Sequence, residues 1–400
     1  MRVNNINLNF RANKMSSAQA KYIDKNLQKA KSVDIFCHED TDVDGAASAM
    51  VMSDYLKQKG ISSNIVLSQN LSLLKLRNYD YNFIQAKNYK KNNETDTALC
   101  VDFSAKGRIL PQTVEEIEKI PNKLGLDHHR GIDIVDGNYV YINHSLKDDE
   151  HVKPVVSFYV DSSAKSATSV LYRFFEALGE EPTNDMNYDM FYGLVDDCAK
   201  RNFVKCDGEK GTIVPTKDLI EDEHAYEVFK KLESKLTSRQ IAQIAKKVDI
   251  ISSLSHREEQ FRKSLKNRLQ YSPNGHIAYV EIASDDKEWA KLGADNTRTS
   301  TILNRFRQDA LANKFNDEKL CNVKTVITFY RADDKYRMSL HSKEPTLLEF
   351  FKYIDKNSTT QLTDSMGGHR QRAGGKINTT NPKVCHEWVL DIVTCDEFYN

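Results

Sequence analysis

The chain has 400 residues, with 57 basic and 57 acidic side chains, 40% hydrophobic and 28% charged residues. That composition belongs to a globular chain long enough for two domains, and its balanced charge argues against a basic nucleic-acid coat or an acidic tail. No apolar run reaches the about 18 residues of a membrane span, the N-terminus lacks the apolar core of a secretory signal, and the seven scattered cysteines form no CxxC pair. A reduced, cytoplasmic compartment is the expectation.

In chain order, residues 1–30 read as an N-terminal extension with a helix. Val33, Ile35 and Cys37 alternate with Asp34 and Phe36 in a strand ending at His38. A helix over 45–59 follows, opened by Gly45 and stopped by Gly60. Asn64 to Ser68 reads as a short strand, and Asp96 to Phe103 as a buried strand with Asp102 near its end. Pro111 opens a charged helix that Pro121 ends. Leu124 to Leu126 leads into Asp127-His128-His129, and Asn138 to Asn143 forms a further strand. Helices cover Ser166 to Leu178 and the segment around Met190 to Val195, which ends in Asp196-Asp197. Alternation of this kind predicts an α/β fold with a largely parallel sheet and helices on both faces, where ligands sit beyond the carboxyl ends of the strands.

From 222 to 270 the pattern is one or two long connecting helices. Strands return at His276 to Ala283, and a hairpin at Val323 to Tyr330 and Tyr336 to Leu340. A helix from Thr346 to Tyr353 precedes the glycine-rich run Gly367 to Gly375. The expected organisation is 31–220 for a first α/β domain, 221–272 for a helical linker and 273–400 for a second, smaller α/β domain.

The run Cys37 to Ala49 (CHEDTDVDGAASA) places Asp40, Asp42 and Asp44 within five residues, beside His38. Such crowded carboxylates repel unless a positive charge stands among them. Imidazole and carboxylate at a strand end make that charge a metal ion. His38, Asp102 and His128 lie at or just past three strand ends, so separate segments aim polar groups at one place. Oxygen-rich donors with imidazole and no thiolate suit Mn²⁺, with Mg²⁺ or Co²⁺ as substitutes. Cys37 and Cys198 read as packing thiols, Trp289 and Trp388 as packing residues, Lys87, Lys90 and Lys91 as a solvated loop, and Asp34 and Asp133 as solvated strand-edge acids.

Five motifs in order resemble the DHH phosphoesterase superfamily, in its branch with a C-terminal DHHA1 domain: His38-x-Asp40-x-Asp42-x-Asp44-Gly45, the strand-end Asp102, Asp127-His128-His129, Gly193-Leu194-Val195-Asp196-Asp197, and Gly367-Gly368-His369. The resemblance covers about residues 30 to 380. It implies two divalent cations, held by His38, Asp42 and Asp102 on one side and by Asp44, Asp102, His128 and Asp197 on the other, with Asp102 bridging. Asp196 and Asp197 are adjacent, and counting from Gly193 favours Asp197; Asp40 is left spare or supporting. His129 would face the substrate as a phosphate contact or proton donor, and Asp127 would orient a histidine. Gly367, Gly368, His369, Arg370 and Arg372 would hold the substrate's phosphate or nucleotide end, and in family members the DHHA1 domain closes over the metals.

The first expectation for function is a metal-dependent phosphodiesterase acting on single-stranded or short oligonucleotides by two-metal activation of water. The alternatives are a small-molecule phosphatase acting on pAp, cyclic dinucleotides or pyrophosphate, and a non-catalytic nucleic-acid-binding relative. The partner implied is an oligonucleotide or nucleotide, with a homodimer left open and no membrane.

Overall fold

The computed structural model describes residues 15–399 except 69–73, 78–80, 105–107, 132–139, 143–155, 162–163, 200–203, 208–209, 216–218, 221–222, 284, 293–295, 333–334, 345, 358–366, 369–370 and 378–380. Asp133, His369 and Arg370 therefore lie outside the described residues. Contacts divide the chain into two units. One comprises Met1–Phe103, Glu115–His128 and Asp136–Asp249; the other Ser104–Val114, His129–Val135 and Ile250–Asn400.

The elements begin with α1 (Ser17–Gln28), β1 (Ser32–Phe36), α2 (Val43–Gln58), β2 (Ser62–Leu67), β3 (Phe83–Gln85) and β4 (Thr97–Val101). Next come α3 (Pro111–Glu118), β5 (Asn122–Asp127), β6 (Arg130–Gly131), β7 (Val140–Ile142), β8 (Val156–Val160), α4 (Ala167–Leu178) and α5 (Asn184–Ala199). A hairpin of β9 (Val204–Asp207) and β10 (Lys210–Ile213) precedes α6 (Glu223–Ser234), α7 (Ser238–Ser252) and α8 (His256–Ser264). Then follow β11 (Gln270–Tyr271), β12 (Ile277–Ile282), α9 (Lys287–Leu292), α10 (Asn296–Leu311), β13 (Thr325–Ala332) and β14 (Lys335–Ser342). The chain closes with α11 (Leu347–Asn357), β15 (Gly367–Gly368), β16 (Arg372–Ile377) and α12 (Pro382–Val393).

Parallel pairing organises the first unit. Its seven-stranded sheet runs β3-β2-β1-β4-β5-β8-β7, with every neighbouring pair parallel. Both β1 and β4 are buried along all five residues, as strands covered on both faces are. The alternation expected for β1 is therefore absent. Asp34, expected to be a solvated acid, is 1% exposed. Its carboxylate accepts from Asn64 Nδ2 at 2.5 Å, Tyr89 Oη at 2.5 Å and Thr95 Oγ1 at 2.9 Å, which replace the lost water.

Helix α2 starts two residues earlier than expected. Asp42 is its N-cap, accepting from the Gly45 N–H at 3.1 Å, so Gly45 lies inside the first turn. The small run Gly45 to Ala49 is wholly buried, and α2 packs on α4 and α5. The 222–270 stretch forms three helices rather than one or two, because the Ser255 capping box restarts the chain as α8.

In the second unit the sheet order is β11-β12-β13-β14-β16-β15-β6, parallel only between β12 and β13. One face packs Ile277, Ile327, Phe329, Met338 and Leu340 against α11 and α12. The other packs Ala278, Val280, Ile282 and Val326 against Ile302, Leu303 and Phe306 of α10. Trp388 is buried in the first cluster and Trp289 lies 5.3 Å from Phe261, so both are packing residues. The glycine-rich run enters the sheet as β15 and β16.

Candidate metal centre

The carboxyl ends of β1, β4 and β5 release His38, Asp102 and His128 at one edge of the parallel sheet. All three are buried: 3%, 1% and 1% exposed. Asp102 directs one oxygen at each imidazole. Its Oδ2 lies 3.1 Å from His38 Nε2, and its Oδ1 lies 3.1 Å from His128 Nε2. Its backbone has φ +63°, a left-handed conformation that aspartate adopts more readily than most residues.

Among the sets of ligand-type atoms that lie within 4.8 Å of one another here are two of direct interest: His38, Asp42 and Asp102, and Asp44, His128 and Asp197. Asp42 Oδ1 is 3.8 Å from His38 Nε2, and Asp44 Oδ2 and Asp197 Oδ2 are 3.8 and 3.7 Å from His128 Nε2. Asp197, not Asp196, belongs to a set, since one helical step turns a side chain by about 100°. Asp40 belongs to neither.

Asp44 is fixed from a direction the sequence did not suggest. It is 1% exposed and accepts from Ala167 N at 2.5 Å, Thr168 N at 3.0 Å and Thr168 Oγ1 at 2.6 Å. The N-terminus of α4 thus holds the carboxylate with free amides and a favourable dipole. A carboxylate has about four lone-pair directions, so three donors leave one for a cation. Gly193 is required by the same junction: a Cβ there would lie 2.6 Å from Thr168 Cγ2 and 2.8 Å from Asp44 Oδ1. At Gly45 a Cβ would approach Asp102 Oδ2 to 3.1 Å. The signal that could have located Thr168 is Ser166-x-Thr168 ahead of an apolar helix, a helix-start pattern.

Electrostatics ask for positive charge here. Burial pushes the Asp44 carboxyl well above the carboxylate range, and the Asp102, Asp197 and Asp42 charges add to it, with His128 opposing. Burial pulls His128 down, but the Asp102 hydrogen bond and the charges of Asp197, Asp102 and Asp44 outweigh it and raise it to about 10. An imidazolium thus supplies part of the charge that a cation would supply. Cys37, with its Sγ 3.4 Å from the Gly45 carbonyl, is held neutral by burial and by the Asp102 and Asp42 charges. Oxygen and imidazole donors, without thiolate, fit divalent cations of the manganese and magnesium type.

Asp127 is fully buried and its Oδ1 accepts from the backbone N–H of His128 at 2.7 Å. His129 follows in the chain, half-buried. Gly367 and Gly368 form β15, and Arg372 opens β16, half-buried, in the second unit.

Residues 32–195 match the family model described as DHH family, N-terminal domain. The chain carries a DHH-family N-terminal domain. That domain indicates a phosphoester hydrolase, and the buried acid and histidine cluster supports use of divalent metal. A comparison with curated proteins finds no match. Among solved structures, an exopolyphosphatase-related protein from Bacteroides fragilis is similar in fold, with TM-score 0.64, 14% identity, and 96% of this chain and 98% of that chain covered. RecJ from Thermus thermophilus, solved in complex with Mn²⁺, aligns at TM-score 0.47 and 12% identity, covering 96% of this chain and 55% of that one. Among the described residues, no helix is long and apolar enough to cross a membrane. The homodimer left open by the sequence gains no support from these comparisons.

Proposed function

We propose that this chain is a phosphodiesterase that hydrolyses single-stranded or short oligonucleotides with two divalent ions. The observation that supports this most is the division of labour at Asp102, whose two oxygens serve two separate histidine-carboxylate sets. In this reading His38, Asp42 and Asp102 hold one ion, and Asp44, Asp102, His128 and Asp197 the other. Bound there, a manganese-type pair would activate water and neutralise charge developing on the phosphoryl oxygens. The chain's own part is to keep the ligands buried and oriented. Asp42 and Asp44 are fixed by the ends of α2 and α4, and Asp102 by its left-handed turn. His129 contacts the phosphate or donates a proton, and Asp127 orients the adjoining histidine backbone. Gly367, Gly368, His369, Arg370 and Arg372 hold the substrate, with 31–220 as the catalytic part and 273–400 as the substrate-binding part.

The test is hydrolysis with Mn²⁺ of a dinucleotide, a longer single strand, a duplex, pAp, a cyclic dinucleotide and pyrophosphate. The name of the Bacteroides protein adds inorganic polyphosphate to the panel. Turnover of the dinucleotide or single strand is expected. Turnover of the small molecules alone would replace the oligonucleotide reading with a phosphatase one, and binding without turnover would leave a nucleic-acid-binding relative.

A further inference from the structure

The amino ends of β12 and β13 and the carboxyl end of β14 meet at one edge of the second unit's sheet. Lys324 N donates to the His276 carbonyl at 2.8 Å, and Lys343 N to the Lys324 carbonyl at 2.9 Å, so the three strand ends are tied side by side. A cavity of about 310 Å³ opens there, with His276, Cys321, Lys324, Lys343 and Glu344 in its walls. That volume is at the small end of ligand pockets. No residue of the glycine-bearing strands β15 and β16 lines it, and both lie on the far side of β14.

The walls are fixed from outside the cavity. Gly275, at φ +74°, closes the turn ahead of β12, donating its N–H to the Ser272 carbonyl at 2.9 Å. The Asp396 carboxylate accepts from Asn274 N at 2.7 Å and Asn274 Nδ2 at 3.1 Å, which leaves the Asn274 side-chain oxygen as an acceptor in the lining. The helical turn Glu318–Cys321 is capped by Asp317 and delivers Cys321 and Asn322, and the wholly buried Val323 adds apolar surface. Lys324 Nζ is 2.7 Å from Glu344 Oε1. Lys343 is exposed and has no acidic partner among the described residues. Two lysines against one glutamate leave the lining with one positive charge in excess, beside an imidazole and two amides.

We propose that this cavity is a second ligand site, for a nucleoside 5′-monophosphate that binds as an effector and not as the substrate. Lys343 pairs with the phosphoryl group as a point charge. The base meets Val323 with its apolar face and the Asn274 and Asn322 amides with its donor and acceptor edge, a pairing asparagine makes well. All the lining residues belong to the second unit, whereas His38, Asp42, Asp44, Asp102, His128 and Asp197 belong to the first. The inference rests on the phosphodiesterase reading only for the source of the nucleotide, which that reaction would release.

Two thiols read the two places in one experiment. Cys321 is exposed and lines the cavity, while Cys198, half-buried, follows the metal-centre residue Asp197. The full chain in chelator, at constant ionic strength, is alkylated with iodoacetamide, and the rate at each cysteine is followed by peptide mass spectrometry. The probes are AMP, adenosine and inorganic phosphate. With AMP at about ten times its Kd, Cys321 alkylation should slow about tenfold, because only the unoccupied fraction reacts. Adenosine should give no protection, and inorganic phosphate should protect only at concentrations well above those of AMP. Lys343→Met should raise the AMP concentration required by about tenfold, as loss of a hydrogen bond to a charged group does, and Lys343→Arg should restore it. Lys343 is exposed, so both variants should fold. Protection confined to Cys198, equal protection by adenosine or by inorganic phosphate, or undiminished protection in Lys343→Met overturns the proposal. Hydrolysis with Mn²⁺ is a separate measurement: its failure removes the source of the nucleotide and leaves the site, and failure of Cys321 protection leaves the phosphodiesterase reading.

Discussion

Asp102 and His128 meet at 3.1 Å, Oδ1 to Nε2, while the other Asp102 oxygen meets His38 at the same distance. The contact joins the ends of adjacent parallel strands, β4 and β5, and depends on Asp102 adopting φ +63°. Asp102→Asn is the sharpest test of that arrangement, because asparagine tolerates the left-handed region and keeps the shape while removing the charge. The variant should fold as wild type does and lose manganese at both positions by titration calorimetry. Asp102→Ala should also lose the metal, and in addition about 1–2 kcal/mol of stability from the backbone. A variant that keeps full metal stoichiometry would remove Asp102 from the bridging role.

Thr168 connects α4 to Asp44 with a hydroxyl that no apolar residue of the same shape can replace. Thr168→Val should weaken Mn²⁺ binding by about 10–100-fold, as loss of a hydrogen bond to a metal ligand does. Thr168→Ser should restore the affinity. Equal affinity in both, with only a lowered melting temperature for valine, would make the contact structural alone.

Gly193 admits α5 to within contact of α2 and α4. Gly193→Ala puts a methyl 2.6 Å from Thr168 and 2.8 Å from Asp44, so about 1–3 kcal/mol should be lost in chemical denaturation. Metal affinity should fall with it, because Asp44 is the group displaced. An alanine variant of wild-type stability would mean that the helices separate without cost.

The acid cluster predicts an unusual pH response for the metal-free protein. His128 is raised from 6.5 to about 10, and Asp44 is raised as well, so the folded chain binds more protons than the unfolded one. Stability from His128 is then complete below about pH 6.5 and is lost as pH rises toward 10. In chelator the melting temperature should decline across that window, and saturating Mn²⁺ should flatten the decline by supplying the charge that the protons supplied. Metal binding should release protons, more of them at lower pH within the window. A pH-independent gap between the two forms would contradict the coupling.

Chemistry was legible wherever local sequence carried it. His38, Asp42, Asp44, Asp102 and His128 could be named from strand ends and crowded acids, because an acid or imidazole that terminates a buried apolar strand needs a charged or polar partner at that end. The burial of Asp34 was not legible: an acid inside an apolar strand gives no sign that Asn64, Tyr89 and Thr95, from three other segments, will satisfy it. Three helices in place of one or two between 222 and 270 turned on a single capping serine, a local feature that the helical periodicity around it obscured.

By itself the sequence determined the α/β class and the parallel sheet and pointed to the residue types of the candidate metal centre, since each follows from periodicity and charge within a few neighbours. Only the tertiary structure decided that α4 grips Asp44, that Gly193 makes room for it, and that Arg307 is buried against Thr328. Those relations join residues far apart in the chain, and side-chain burial and strand register arise only when distant segments pack.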